Sequence, residues 1–237
     1  MKRAIVICDE MKNRKINLPW DCRTRVDRVS KELLAKLSST NCQLIHFGVE
    51  SGSQKMLNTM RKGTTVEQNA NAIKLAKEAG IFVAISLVIG YPGESHEMLQ
   101  QTIDFIQKTK PDYVYMCEAV PYPGTELYYV IKEMGIELSK DWNLYHEDAQ
   151  VFKNPLVTHE MLEETKKTVY DSFFSPTYYL QKRMGRTIYS KTMARMALNH
   201  LVCKYRFSRW AFKKLGKMRQ QKKSPGGYSK ADHEQQI

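Results

Sequence analysis

Three short loops that combine glycine with an acidic residue constrain the fold of this chain more than any other feature. They are residues 48–53 (GVESGS), 90–95 (GYPGES) and 121–127 (PYPGTEL), and each follows an apolar segment. In a parallel sheet built from strand-helix units, ligands bind at the carboxyl ends of the strands, where such loops lie on one face. The three loops therefore predict one wall of a cofactor site.

The apolar segments have the length and composition of parallel strands. Residues 81–89 (IFVAISLVI) form an almost uninterrupted apolar run, which is typical of a strand that is covered on both faces. Further strands are predicted over residues 16–22, 44–49 and 113–120, with amphipathic helices between them. Alternating strands and helices indicate right-handed parallel crossovers. The predicted fold class is α/β, with four parallel strands forming part of an open barrel, followed by a helical tail.

Capping residues mark where the predicted helices begin. Ser95 is expected to cap the helix that follows the 81–89 strand. The preceding helix is expected to start with a capping box, formed either by Thr64 with Glu67 or by Thr65 with Gln68. These signals place each glycine-containing loop between a strand and a helix.

Charge is distributed unevenly along the chain. Residues 1–150 contain 19 Lys and Arg and 19 Asp and Glu, whereas residues 151–237 contain 18 basic and 6 acidic residues. The formal net charge of +12 therefore lies in the last third. This asymmetry predicts a boundary near residue 150, a basic helical extension over residues 151–223 and a disordered tail over residues 224–237. It also predicts that the extension contacts an anionic partner.

The cysteines do not suggest a metal site. The sequence contains five of them, at Cys8, Cys22, Cys42, Cys117 and Cys203. No two have metal-ligand spacing, and an odd, scattered set does not form a disulfide framework. We therefore predict no metal ligands. Since the sequence also lacks a long apolar run and a signal-peptide pattern, we expect a cytoplasmic protein.

The order of the motifs is more specific than any one of them. The succession comprises residues 20–27 (WDCRTRVD), 47–54 (FGVESGSQ), 60–65 (MRKGTT), 89–94 (IGYPGE) and 121–128 (PYPGTELY). It closely resembles the radical S-adenosylmethionine (radical SAM) enzymes, and within them the subgroup that carries an N-terminal cobalamin-binding domain. The resemblance covers roughly residues 1–150.

The resemblance implies a partial TIM-type barrel of six strand-helix units. In that family, three cysteines spaced Cys-x3-Cys-x2-Cys hold a [4Fe-4S] cluster, which cleaves S-adenosylmethionine to a 5′-deoxyadenosyl radical. This sequence lacks the cysteine triplet and matches strands three to six of the family core. The resemblance therefore implies a C-terminal fragment of a radical enzyme. Its cofactors would be S-adenosylmethionine, a [4Fe-4S] cluster held by the missing part, and cobalamin, with methyl transfer as a candidate reaction.

Candidate cofactor-binding residues follow from the resemblance, position by position. Glu50 and Ser51 match positions that face the ribose and amino-acid groups of S-adenosylmethionine, and Lys62 matches a basic position that holds its carboxylate. Three positions match the surface around the adenine, namely Val88, Gly90 and Val120. Arg25 matches the end of a strand that points towards the same cavity, without an assigned role. No catalytic residue is assigned.

Two functions remain open from the sequence. One is a fragment of a radical enzyme that acts on a small-molecule or lipid-like substrate together with a separate N-terminal half. The other is a non-catalytic relic barrel whose basic extension binds an anionic membrane or nucleic acid, which the missing cysteine triplet favours for the chain in isolation. A basic amphipathic helix over residues 186–223 predicts membrane association, with packing on the barrel or on a partner domain as the alternative. Nucleic acid is disfavoured because no recognition motif accompanies the charge.

Overall fold

Four parallel strands form one sheet in which the spatial order follows the sequence order. The computed structural model describes residues 2–146, 149, 151–185 and 187–221, with only the backbone from residue 205 onward. The strands are β1 (Trp20–Thr24), β2 (Cys42–Glu50), β3 (Phe82–Ile89) and β4 (Tyr113–Glu118). This sheet confirms the predicted α/β fold with four parallel strands.

Helices connect the strands and extend the chain beyond them. They are α1 (Lys2–Asn13), α2 (Lys31–Ser39), α3 (Gln54–Thr59), α4 (Val66–Glu78), α5 (His96–Thr109), α6 (Glu126–Glu133), α7 (His159–Phe173), α8 (Pro176–Arg183) and α9 (Ile188–Gln221). Helices α2, α4, α5 and α7 each contribute side chains to one core cluster against the sheet. Helices that follow β1, β2 and β3, together with α7, thus cover one face of the sheet.

The capping signals in the sequence mark the observed helix starts. The Thr65 side chain accepts from the Gln68 amide, and the Gln68 side chain accepts from the Thr65 amide, so the capping box of α4 is the second of the two expected pairs. Ser95 Oγ accepts from the amide of Met98 at the start of α5. Both local predictions are confirmed.

The first strand begins later than the sequence indicated. We predicted a strand over residues 16–22, but Ile16 and Leu18 are exposed and β1 starts at Trp20. Pro19 has no amide hydrogen to donate to a neighbouring strand, so the ladder with β2 begins after it. The Trp20 indole Nε1 then donates to the carbonyl of Thr40 at 2.7 Å, which secures this edge of the sheet.

The two faces of the sheet have different surroundings. Side chains of one alternation, such as Ile45, Phe47 and Ile85, are fully buried under the helices. The opposite alternation forms what we call the inner face, and it includes Arg23, His46, Gly48, Ser86 and Tyr115. These inner-face residues are exposed or half-buried. The inner face corresponds to the interior of the partial barrel.

Residues beyond 150 pack against the sheet core. Val157, Leu162 and Val169 belong to the same cluster as the buried residues of the strands. The boundary predicted near residue 150 stays a prediction, and the predicted tail over residues 224–237 lies outside the described residues.

The first half of α9 rests on the body of the protein. Met193 and Ala197 are buried, and Asp171 of α7 pairs with His200 Nε2 at 2.7 Å and with Lys204 Nζ at 3.0 Å. Packing on the barrel, the alternative to membrane association, therefore describes this half of the helix. Within the described part of the chain, no helix combines the length and apolar character needed to cross a membrane. Membrane association of residues 186–223 stays a prediction.

Candidate functional site

A charged pair lies at the carboxyl end of β2. Glu50 ends the strand, and Lys62 Nζ donates to its Oε1 at 2.6 Å. The short helix α3 turns the chain so that Lys62 returns beside the strand it follows, with its amide donating to the carbonyl of Leu57. The two side chains are 22% and 16% exposed, so both charges are reachable from solvent. A carboxylate and an ammonium group thus lie together at the carboxyl end of the sheet.

Two neighbours hold this pair in position. Arg25 Nη1 donates to the carbonyl of Lys62 at 3.1 Å, while the other guanidinium nitrogens bind the Asp27 carboxylate. Gly48 provides the space, since a Cβ there would lie 2.7 Å from Glu50 Oε1 and 3.2 Å from Lys62 Nζ. Arg25, to which the sequence assigned no role, therefore positions the loop that carries Lys62.

The predicted adenine-facing residues divide into two groups. Val88 and Val120 are half-buried and pack with Tyr91 against one apolar cluster at the carboxyl ends of β3 and β4. Gly90 lies beneath α7, and a Cβ there would be 2.8 Å from Leu162 Cδ1. Its left-handed backbone (φ 73°) and its close contact with Leu162 explain why a glycine is needed at this position. The two valines form an apolar surface that Gly90 does not extend.

Ser51 is separated from the charged pair. It is fully buried, its hydroxyl lies 3.2 Å from Thr102 Oγ1 of α5, and it accepts from the amide of Ser53 at 3.0 Å. These bonds point the side chain into the helix-covered side of the sheet. Its predicted contact with a cofactor stays a prediction, and the structure gives Ser51 a role in shaping the loop.

Glu94 is a buried acid that the sequence placed in a motif without assigning it a task. Its Oε2 accepts from the amide of Gly90 at 2.5 Å, and its Oε1 has no hydrogen-bond partner within the described residues. Burial raises the pKa of Glu94 to about 8, against the opposing effect of the backbone amides of Gly90 and Tyr91. The side chain is therefore mostly protonated at neutral pH. Its hydrogen bond with the Gly90 amide joins the two ends of the loop after β3.

A second polar cluster went unnoticed in the sequence because its members are far apart in the chain. Glu118 at the end of β4 and two α7 residues, His159 and Glu163, place their ligand atoms within 4.8 Å of one another. Lys166 Nζ already lies 3.0 Å from Glu118 Oε1 and 2.9 Å from Glu163 Oε1. Lys166 thus supplies the positive charge that both carboxylates need, and these ion pairs hold α7 on the sheet.

The cysteines do not converge on one point. Cys22 and Cys42 have their sulfur atoms 4.0 Å apart on neighbouring strands, while Cys117 Sγ donates to the carbonyl of Leu87. Cys203 is exposed on α9, and Cys8 is the buried residue of α1. Three thiolates held together by one loop are what an iron-sulfur cluster of this type requires. The cysteines in the described residues do not fit that ligand set.

Comparison with known proteins identifies relatives of this architecture. Residues 3–106 match the model of the Radical SAM superfamily. The chain is 31% identical over 173 residues to an uncharacterized methyltransferase of Pyrococcus horikoshii. This match covers 73% of this chain and 38% of that protein. It is 26% identical over 183 residues to the anaerobic magnesium-protoporphyrin IX monomethyl ester cyclase of Rubrivivax gelatinosus, covering 76% of this chain and 32% of the cyclase. The chain thus spans about a third of the length of these relatives.

Solved structures support the same fold. The cobalamin-dependent S-adenosylmethionine radical enzyme OxsB, with aqua-cobalamin bound, superposes with a TM-score of 0.55 over 84% of this chain and 36% of that protein. The sequences are 18% identical over this match, so the likeness concerns the fold.

Proposed function

We propose that this chain, whose residues 3–106 match the model of the Radical SAM superfamily, forms the S-adenosylmethionine-binding side of such an enzyme. The observation that carries the proposal is the Glu50–Lys62 pair at the carboxyl end of β2, with Nζ and Oε1 2.6 Å apart. Ligands of parallel α/β sheets bind at that edge. The chemistry of the pair suits a zwitterionic ligand that also carries hydroxyl groups.

The residues present fit S-adenosylmethionine in both charge and polarity. Glu50 can accept hydrogen bonds from ribose hydroxyls or from an ammonium group, and Lys62 can bind a carboxylate as a point charge. The half-buried surface of Val88 and Val120 suits an adenine ring. When bound and reduced, this group supplies a 5′-deoxyadenosyl radical that abstracts hydrogen from a substrate. The work of this chain is to orient the ligand and shield one side of it.

The positioning residues act through the pair. Arg25 donates a hydrogen bond to the carbonyl of Lys62 and so fixes the position of the loop that carries Lys62 beside β2. Gly48 leaves the space that brings Glu50 and Lys62 together over the strand. A ligand carboxylate would compete with Glu50 for the ammonium group, releasing the Glu50 carboxylate to accept hydrogen bonds from the rest of the ligand.

The iron-sulfur cluster does not fit the described cysteines, so no step is assigned to it on this chain. In the proposal, its ligands come from polypeptide outside the residues described, and the whole enzyme acts on its substrate with that part present. Methyl transfer is the proposed reaction because relatives such as the Pyrococcus horikoshii protein are named methyltransferases. Cobalamin enters it from the name of OxsB, and no residue of this chain is assigned to it.

Ligand binding by matched lysine variants tests the proposal. Equilibrium dialysis with radiolabelled S-adenosylmethionine is run on the full chain, on Lys62→Ala and on Lys74→Ala. Lys74 is exposed on α4 and has only a loose pair with Glu78 at 3.8 Å. We expect Lys62→Ala to lose on the order of 1–3 kcal/mol of binding free energy, because a charge-assisted contact is removed. Equal affinities of the two variants, or no binding by the unaltered chain, would contradict the proposal.

A further inference from the structure

The inner face of the sheet carries a polar band below the Glu50–Lys62 pair. Each strand contributes one member to it, and the four members are Arg23, His46, Ser86 and Tyr115. Arg23 pairs with His46 in the register of β1 and β2, and Ser86 pairs with Tyr115 in the register of β3 and β4. His46 Nε2 lies 3.2 Å from Ser86 Oγ and links the two halves. The band therefore runs across the whole sheet.

Such a band is unusual for the interior of a β/α barrel. The inward layers of these barrels are generally filled by bulky branched side chains that pack into a core. Here the layer has hydrogen-bonding groups and a cation, and its members are exposed or half-buried. Side chains of this kind can form hydrogen bonds with a polar group that enters the interior.

Arg23 is the charged member of the band, and its positive charge favours an anionic ligand. Within the part of the chain that the structure describes, its guanidinium makes no hydrogen bond or ion pair that would neutralise it. Of the two acids nearest the band, Glu50 is paired with Lys62, whereas Asp21 accepts from the neutral Tyr189 hydroxyl and keeps its negative charge. Arg23 is thus an exposed guanidinium that is available to an anionic ligand.

His46 complements that charge without adding to it. Burial lowers the pKa of His46, and the charge of Arg23 lowers it further, while Glu50 and Asp21 act in the opposite direction. The imidazole is consequently neutral near pH 7 and can donate one hydrogen bond. A neutral donor beside a guanidinium suits an oxyanion, which accepts from both.

We propose that the inner face binds an oxyanion group of the substrate, a carboxylate or a phosphate, with Arg23 as its charge partner and His46 as a hydrogen-bond donor. This inference rests on the proposed function and names the substrate class of the same site. His46 and Glu50 are four residues apart on one strand, a separation of about 13 Å. That span leaves room for the reacting carbon between the anchored oxyanion and the cofactor.

The test measures the ring of His46 directly. Histidine-labelled chain is titrated by NMR with inorganic phosphate and, separately, with acetate, with the His46 signal assigned from a His46→Gln variant. Both anions are expected to raise the pKa of His46, and the stronger response identifies the group. Arg23→Gln should raise the starting pKa and weaken the apparent anion affinity by about tenfold or more. Arg14→Gln, which alters an exposed arginine that follows α1 and pairs with Glu10, should behave as the unaltered chain.

Two results would overturn the inference. One is a His46 signal that does not respond to either anion, and the other is a response that persists in Arg23→Gln. Dialysis with S-adenosylmethionine on the same preparation separates this failure from failure of the proposed function. Cofactor binding without an anion response rejects the substrate class alone, whereas an anion response without cofactor binding rejects the cofactor assignment alone.

Discussion

At the scale of single residues, the most informative side chain is one whose protonation differs between the folded and unfolded chain. Glu94 has a pKa of about 8 when folded, because burial disfavours its charged form. In the unfolded chain, the same carboxyl has a pKa of about 4.3. Between these values the folded state holds a proton that the unfolded state has lost. Stability from this group is therefore complete at low pH and declines as the pH rises towards 8.

Substitution of Glu94 should expose this dependence. We expect the unaltered chain to lose on the order of 1 kcal/mol of unfolding free energy per pH unit between about pH 5 and pH 8 through this group. Glu94→Gln should lack that part of the slope and be the more stable protein at pH 8. Urea unfolding over this pH range measures both, with Glu97→Gln on the exposed side of α5 as the control. Parallel slopes for all three proteins would contradict the assigned pKa.

Two glycines near the charged pair should respond differently to the same change. A Cβ at Gly48 meets only the ends of flexible side chains, Glu50 and Lys62, whereas a Cβ at Gly52 meets Thr102 Cα at 2.7 Å and the carbonyl of Gln101 at 2.8 Å. Gly48→Ala should therefore fold with stability close to the original and bind S-adenosylmethionine more weakly. Gly52→Ala should cost about 1–3 kcal/mol of stability, since α5 has to shift. Thermal melts and dialysis separate the two effects, and equal melts would argue against this packing.

At the scale of elements, α7 shows how a helix far along the chain is fixed on the sheet. Leu162 contacts Gly90 at the end of β3, and the Tyr170 hydroxyl lies 3.4 Å from the amide of Met116 on β4. Between these contacts, Lys166 joins the buried Glu118 to Glu163. Apolar packing and one buried ion pair thus hold the same helix.

Removing the cation from α7 should be costly. Lys166→Met leaves the buried Glu118 carboxylate with the His159 imidazole, whose Nδ1 lies 3.3 Å from Oε1, as its neighbour, and removing the lysine of a buried ion pair typically costs about 3–5 kcal/mol. The adjacent Lys167 is exposed, so Lys167→Met is a matched control with little expected effect. Urea unfolding of both variants measures the difference. A small loss in Lys166→Met would mean that Glu118 takes up a proton or finds another partner.

The sequence predicted elements better than it predicted their contacts. Strand and helix periodicity and the Thr65 capping box are local signals, and each is confirmed. The start of β1 was wrong because Ile16 and Leu18 alternate like strand residues but have no neighbour to pair with. The pairing of Glu50 with Lys62 was within reach, since both belong to matched motifs. Lys166 with Glu118 was not, because their proximity depends on how α7 lies across the sheet.

At the scale of the whole molecule, the described cysteines are divided among the helix-covered core, the inner face and α9, with Cys8, Cys22 and Cys42 in the core. Cys22 and Cys42 lie on the helix-covered side of β1 and β2, Cys117 lies on the inner face of β4, and Cys203 is on α9. The strands that hold them form a rigid hydrogen-bonded sheet, so these thiols cannot gather without unfolding it. The fixed geometry of the sheet therefore prevents these cysteines from serving together as ligands of one iron-sulfur cluster.

Anaerobic reconstitution should show this limit. The purified chain, treated with iron and sulfide, is expected to retain much less than the roughly four irons per chain of a complete cluster. A variant with Cys22→Ser and Cys42→Ser should retain the same amount, because these residues are not cluster ligands. Iron analysis and visible absorption provide the measurement. Near-stoichiometric iron that is lost in the double variant would show that the sheet rearranges around a cluster.

The backbone of Glu50 has a consequence for how this protein can change over time. Its left-handed conformation (φ 67°) costs a non-glycine residue about 1–2 kcal/mol, a penalty that glycine escapes. Selection for stability alone would therefore replace the acid with glycine by a short mutational route. In any lineage where the ligand is no longer bound, this position should be among the first to drift. The residue found at position 50 in a descendant thus records whether its site is still in use.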